Sequence, residues 1–129
     1  MDQMEDLLEY YRNILHWDPP FAQILSRYAP DGLKGYLGMR DAVQNGALPA
    51  ATREMLFSIL DSIADEESGA QAHAAAAIRA GMTMEELTEA FLIVTIARGI
   101  NVLCKTGTKA LRAAEEEAEK LQSGKSSEN

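Results

Sequence analysis

The chain has 129 residues, of which 47% are apolar and only 6% aromatic, and its formal net charge is −8. That length suits one core of ordinary size, and the negative balance argues against nucleic acid or an anionic membrane as partner, because phosphate recognition needs a basic face. An alanine- and methionine-rich composition without β-branched, aromatic strands suits closely packed helices rather than a sheet. No apolar run approaches the ~20 residues that a membrane-crossing helix requires. The opening MDQMEDLLEY is acidic where a secretory leader would be basic, and a lone cysteine, Cys104, cannot form a disulfide within the chain. These features predict a cytoplasmic protein.

Gln3–Trp17 carries Met4, Leu7, Leu8, Tyr11, Ile14 and Leu15 at helical spacing, with acids in its first turns where the helix dipole favours them. Asp18-Pro19-Pro20 ends that helix and starts a short one, Phe21–Tyr28, with Asp18 expected as N-cap and Pro19 at the first position. His16 and Trp17 are expected to pack and cap at this boundary. A third helix runs from Gly32 to Gln44, with a left-handed stop expected at Asn45-Gly46.

Leu48-Pro49 opens a fourth helix, Ala50–Ala64, whose Leu56, Ile59, Leu60 and Ile63 form an apolar stripe expected to face the core. Glu54, Ser58 and Asp61 fall on the opposite side, which the pattern alone assigns to solvent. The next helix, Glu67–Ala80, is rich in alanine. At about 100° per residue, Glu66, Gly69, His73, Ala76 and Ala80 share one face. Small side chains there let another helix or a small molecule approach the backbone, and one carboxylate and one imidazole project into that space. A satisfied core histidine would leave the same pattern.

Gly81 is expected to stop this helix, and Thr83-Met84-Glu85-Glu86 reads as a capping box for a sixth, Met84–Arg98. That sixth helix is apolar on most sides, which implies burial by the core or by neighbouring subunits. Gly99 breaks the run. A last helix, Ile100–Leu121, carries an acidic block at Glu115–Glu119 that reads as a solvated face, and Ser123–Asn129 reads as a frayed polar tail. The expected architecture is all-α, a bundle of about six or seven helices around a central antiparallel hairpin of Ala50–Ala64 and Glu67–Ala80. It would form a single domain over residues 1–122, with a flexible tail over 123–129.

Arg53-Glu54, then twelve residues on Glu66-x-x-Gly69-x-x-x-His73, then Gly81 eight beyond the histidine and the Thr-x-Glu-Glu cap form a recognisable frame. It resembles the carboxymuconolactone decarboxylase and alkylhydroperoxidase D-like superfamily over Leu48–Thr108. The resemblance implies the alkylhydroperoxidase D-like helical fold and a trimeric or hexameric homo-oligomer. In the peroxidase branch a Cys-x-x-Cys pair stands where this chain has Glu66 and Gly69. A dithiol route needs a reactive thiolate and a resolving thiol, and Cys104, on another helix, is expected to be a small buried hydrophobe. Alkylhydroperoxidase or peroxiredoxin-type activity is therefore disfavoured. The decarboxylase branch also lacks that pair and keeps an Arg-Glu step and the histidine; its chemistry is proton transfer on a small carboxylated lactone.

These residues support a cofactor-free acid–base enzyme, lyase- or hydrolase-like, acting on a small organic acid. His73 would be the general acid or base, imidazole being the side chain that ordinarily titrates near neutral pH. Glu54 would orient it, and Glu66 would be a second proton carrier or a substrate contact. Arg53 or Arg98 would neutralise a substrate carboxylate, and Gly69 would leave room for the ligand. The pattern implies no metal and no cofactor. The alternative is a non-catalytic oligomeric binding module on the same helices. An enzyme needs Glu54, Glu66 and His73 to converge on a cavity on the order of a few hundred Å³, whereas a module can leave Glu54 exposed and His73 buried in packing.

Overall fold

The computed structural model describes residues 8–128, with side chains through residue 125. The part of the expected Gln3–Trp17 helix that precedes Leu8 lies outside the described residues. A π-helical turn, Tyr10–Ile14, is followed by α1 (Ala22–Tyr28), α2 (Pro30–Gln44), α3 (Ala50–Ile63), α4 (Glu67–Arg79) and α5 (Met84–Arg98). A second π-helical turn, Leu103–Gly107, leads into α6 (Thr108–Glu128). Every regular element among the described residues is helical, as the unbroken periodicity predicts. The chain divides into two compact units, Met1–Leu48 and Pro49–Asn129. The tail expected over 123–129 is instead a continuation of α6 as far as Glu128, since no proline interrupts it.

The first unit is organised around Tyr11, Leu15, Leu33 and Leu37, all buried. Phe21 meets the Tyr11 ring edge-on at 5.9 Å and the Tyr36 ring at 5.3 Å. Burial pushes the Tyr11 hydroxyl pKa upward, and its hydrogen bond with Tyr36 pushes it the same way. Trp17 packs against Tyr11 as expected, at 6.1 Å, whereas His16 is exposed in a left-handed conformation (φ 54).

Two caps differ from expectation. Asp18 does not cap α1; Pro19 accepts from the Ala22 N–H at 3.1 Å, so the two prolines form a turn and Phe21 stands at the N-cap. Asn45 ends α2 with φ −101 rather than left-handed, because its side-chain amide donates to the Asp41 carbonyl at 3.0 Å.

In the second unit α4 lies between α3 and α6. It can do so because it buries Gly69, Ala70, His73, Ala74, Ala76, Ala77 and Ile78, nearly all of them small, on most of its circumference. Ala70, Ala74 and Ile78 join Leu87, Phe91, Ala110 and Ala114 in the apolar core. The α3–α4 hairpin is antiparallel: Ser58 donates to the Ala70 carbonyl at 2.8 Å, while Glu54, earlier in α3, reaches His73, later in α4. The turn between them closes with the Glu66 N–H on the Asp61 carbonyl at 2.8 Å. Asp65 takes a left-handed conformation there (φ 57), and its carboxylate accepts from the Thr106 hydroxyl at 3.2 Å.

The orientation of α3 reverses the expectation. Its buried side chains are Arg53, Glu54, Ser58 and Ser62, while Leu56 and Leu60 are exposed, Leu60 by 60%. The facing surface of α4 presents an imidazole and a backbone carbonyl, which the polar side of α3 satisfies and a leucine stripe would not. Helix α5 buries Leu87, Phe91 and Val94 and leaves Leu92, Ile93 and Ile96 exposed, Ile96 by 87%. Cys104 is exposed, contrary to expectation. The π-helical turn departs from helical geometry at Lys105 (φ −95, ψ −108) and turns Thr106 and Gly107 inward in its place. No helix among the described residues is long and apolar enough to cross a membrane.

Gly81 (φ 108) and Gly99 (φ 94) end their helices in the left-handed region, as expected. The capping box on α5 is complete: Thr83 N–H donates to the Glu86 carboxylate at 2.9 Å and Glu86 N–H to the Thr83 hydroxyl at 3.1 Å. The Thr83 backbone N–H, and then its hydroxyl, hold the Glu86 carboxyl below the usual carboxylate range. Thr83→Ala is expected to cost about 1 kcal/mol in urea denaturation. A depressed carboxyl stabilises the fold above its unfolded pKa and loses that effect as pH falls through its folded pKa. The stability difference between the parent and Glu86→Gln should therefore shrink on acidification through that window.

Candidate functional site

Glu54 and His73 meet where the first turns of α3 lie against the later part of α4. Glu54 Oε2 is 2.7 Å from His73 Nδ1, and the two side chains are 1% and 6% exposed. An ionised carboxylate only accepts hydrogen bonds, so with Glu54 in that form the contact assigns a hydrogen to Nδ1, and a ring carrying one hydrogen then has its lone pair on Nε2. Phe57, one turn after Glu54, lies over the imidazole with ring centroids 4.8 Å apart. One turn further, Asp61 brings Oδ2 to 3.9 Å from Nε2, with its side chain 33% exposed. Glu54, Phe57 and Asp61 recur at helical spacing on one face of α3 and surround the ring on three sides.

Gly69 makes the third of these contacts possible. A Cβ at this position would run into the Asp61 carboxylate and would lie 3.5 Å from Glu66 Cγ. The glycines with positive φ are Gly81 and Gly99, so Gly69 is ordinary helix backbone. Glycine inside a helix costs roughly 0.5–1 kcal/mol relative to alanine; here it gives space in return.

The other expected site residues fall at different places. Arg53 is buried on α3 beside Glu54. Glu66 is exposed at the N-cap of α4, and among the described residues no hydrogen bond or ion pair joins it to His73. Arg98 is exposed at the end of α5. Asp61, which sequence reasoning placed in solvent, is the functional candidate it missed. Its signal was present, since it shares the polar face of Glu54. Ser62 is buried next to it, with a hydroxyl that has no hydrogen-bond partner among the described residues. Two cavities, of about 510 and 310 Å³, are lined by residues of the first unit and include none of these side chains. No three His, Cys, Asp or Glu side chains among the described residues group as metal ligands would.

The model of the carboxymuconolactone decarboxylase family matches residues 30–120. A crystal structure from Burkholderia xenovorans LB400, of a protein provisionally named a carboxymuconolactone decarboxylase, superposes with a TM-score of 0.82. It is 29% identical to this chain, and the match covers 95% of this chain and 98% of that one. Comparison with curated proteins gives no match.

The buried pair generates a stability prediction. His73→Leu removes the imidazole from the buried Glu54 carboxylate, a change expected to cost about 3–5 kcal/mol. Adding Glu54→Leu to it removes the buried charge and should recover part of that loss. Urea denaturation of the two single variants and the double variant gives the comparison.

Proposed function

The chain belongs to the carboxymuconolactone decarboxylase family, and on that premise we propose that it is a cofactor-free acid–base enzyme acting on a small organic acid. The observation that carries this reading is the buried Glu54–His73 hydrogen bond. A histidine kept only for packing is satisfied by a backbone carbonyl, whereas taking a carboxylate out of water costs several kcal/mol before any pairing. With hydrogen on Nδ1, Nε2 is the atom that receives a proton from substrate, and Glu54 then stabilises the imidazolium that forms.

For a decarboxylation, the bond from carbon to the departing carboxylate breaks, CO2 leaves, and the electron pair stays on the substrate. A proton that Nε2 has taken up from solvent goes to that carbon and the ring returns to neutral, so each turnover consumes one proton. Arg53, buried one residue from Glu54, is the cation we assign to a substrate carboxylate. Arg98 and Glu66, both exposed, have weaker support, and Glu66 is retained only as a contact at the edge of the site. A dithiol peroxidase cycle forms no part of the proposal, because Cys104 is the chain's one thiol. An exposed thiol suits a reducing compartment, which supports a cytoplasmic setting.

We assign the exposed apolar side chains of α3 and α5, among them Leu60, Ile93 and Ile96, to contacts between copies of this chain. Exposed apolar surface of this kind marks association sites, and the trimeric or hexameric state follows from the resemblance. Light scattering at micromolar concentration should therefore give a mass that is a multiple of 14.1 kDa. A mass of one chain would remove this part of the proposal.

Carboxylated lactones and related small acids should raise the melting temperature of the protein, since a ligand bound only to the folded state stabilises it by mass action. On a substrate so found, His73→Gln and Glu54→Gln should each lower kcat by roughly 10²–10⁴-fold. Full activity in Glu54→Gln would reject the acid–base role and leave a binding module in its place.

A further inference from the structure

We propose that Asp61 is the proton relay of this site, carrying protons between His73 Nε2 and solvent, and that the absent side chain of Gly69 is what admits it. This inference rests on the acid–base reading of His73. Exposure rises in steps across the contacting side chains: 1% at Glu54, 6% at His73 and 33% at Asp61. The Nδ1 side of the ring ends on a buried carboxylate, and Phe57 covers the ring, so protons must enter and leave through Nε2.

The groups around Nε2 leave Asp61 as the carrier. Phe57 has no proton to exchange. Asp65 is engaged by the Thr106 hydroxyl and lies 3.9 Å from Lys105 Nζ. Glu66 is the other carboxylate beside Gly69, and it points out from the N-cap of α4 as an exposed side chain. Among the described residues Asp61 is the one that pairs with Nε2, at 3.9 Å. That separation exceeds a direct hydrogen bond. A small rotation of the partly exposed carboxylate closes it, or one water bonded to both groups spans it.

In the outward step the Nε2–H bond of the imidazolium breaks and its electron pair stays on the ring. The proton passes to an Asp61 carboxylate oxygen, directly or through that water, and Asp61 releases it to solvent. The reverse sequence charges the ring. No oxidant, reductant or cofactor enters the balance.

Gly69 supports the assignment independently. Its backbone needs no glycine, yet a Cβ there would occupy the position of the Asp61 carboxylate. The carboxylate thus fills the volume that a side chain at position 69 would take.

The test is nitrogen-15 NMR of histidine-labelled protein, with His16→Gln to identify the second of the two histidines. The rate at which the Nε2 proton of the protonated His73 ring exchanges with water is read by saturation transfer. Asp61→Asn should slow that exchange about tenfold or more, as expected when an acid–base group is lost. Gly69→Ala, which displaces the carboxylate without altering it chemically, should slow it in the same direction. Asp61→Glu should restore part of the rate, and Asp65→Asn should leave it at the parental value. Exchange in Asp61→Asn within about twofold of the parent would overturn the relay. A parent ring that lacks hydrogen on Nδ1 would instead overturn the Glu54–His73 reading, and the relay with it. A parent with hydrogen on Nδ1 and an unaffected Asp61→Asn would overturn the relay alone.

Discussion

A carboxylate and an imidazole held 2.7 Å apart in the interior constrain everything built around them. Burial of either group costs free energy, and their pairing offsets part of that cost. To bring Glu54 to His73, α3 must turn its polar side toward α4. Ser58 then reaches the Ala70 carbonyl, and Ser62 is buried in the same row. For the two helices to come this close, α4 must carry little bulk, which accounts for Gly69 and its alanines. Leu56 and Leu60 of the apolar stripe of α3 are turned outward as a consequence, while Ile59 still packs partly buried against the core. One polar contact therefore decides which side of two helices faces in.

That displacement links the site to assembly. Leu56 and Leu60 on α3, and Leu92, Ile93 and Ile96 on α5, are apolar side chains left in water by the second unit. A monomeric domain gains by covering such surface with its own chain. Here the inward side of α3 is already committed to the buried pair, and the proposed contact with another copy of the chain would cover the outer side. The polar interior and the apolar exterior are two results of the same rotation.

The environment of His73 is asymmetric in a way that suits proton transfer. Nδ1 faces a buried acceptor, whereas Nε2 faces a carboxylate that reaches solvent. In the related peroxidase branch thiols occupy the positions of Glu66 and Gly69. In this chain position 69 is empty and a carboxylate from the neighbouring helix fills the space. Cys104, exposed beside the π-helical turn, takes no part in this arrangement.

The helical class, the hairpin order, the glycine stops at Gly81 and Gly99 and the Thr83–Glu86 capping box were legible in the residues, because each depends on atoms within a few positions of one another. Periodicity also grouped Glu54 with Asp61, and Gly69 with His73, correctly onto shared faces. It could not say which face turns inward. Hydrophobicity alone assigned the leucine stripe of α3 to the core and Glu54 to solvent, and the pairing of Glu54 with His73 entered only through the resemblance. Asp61 was passed over and Cys104 was placed inside for the same reason. Local backbone geometry determines which side chains share a surface. Which surface is buried depends on the groups opposite it, and here those groups, an imidazole and a backbone carbonyl on α4, reward carboxylates and hydroxyls rather than leucines.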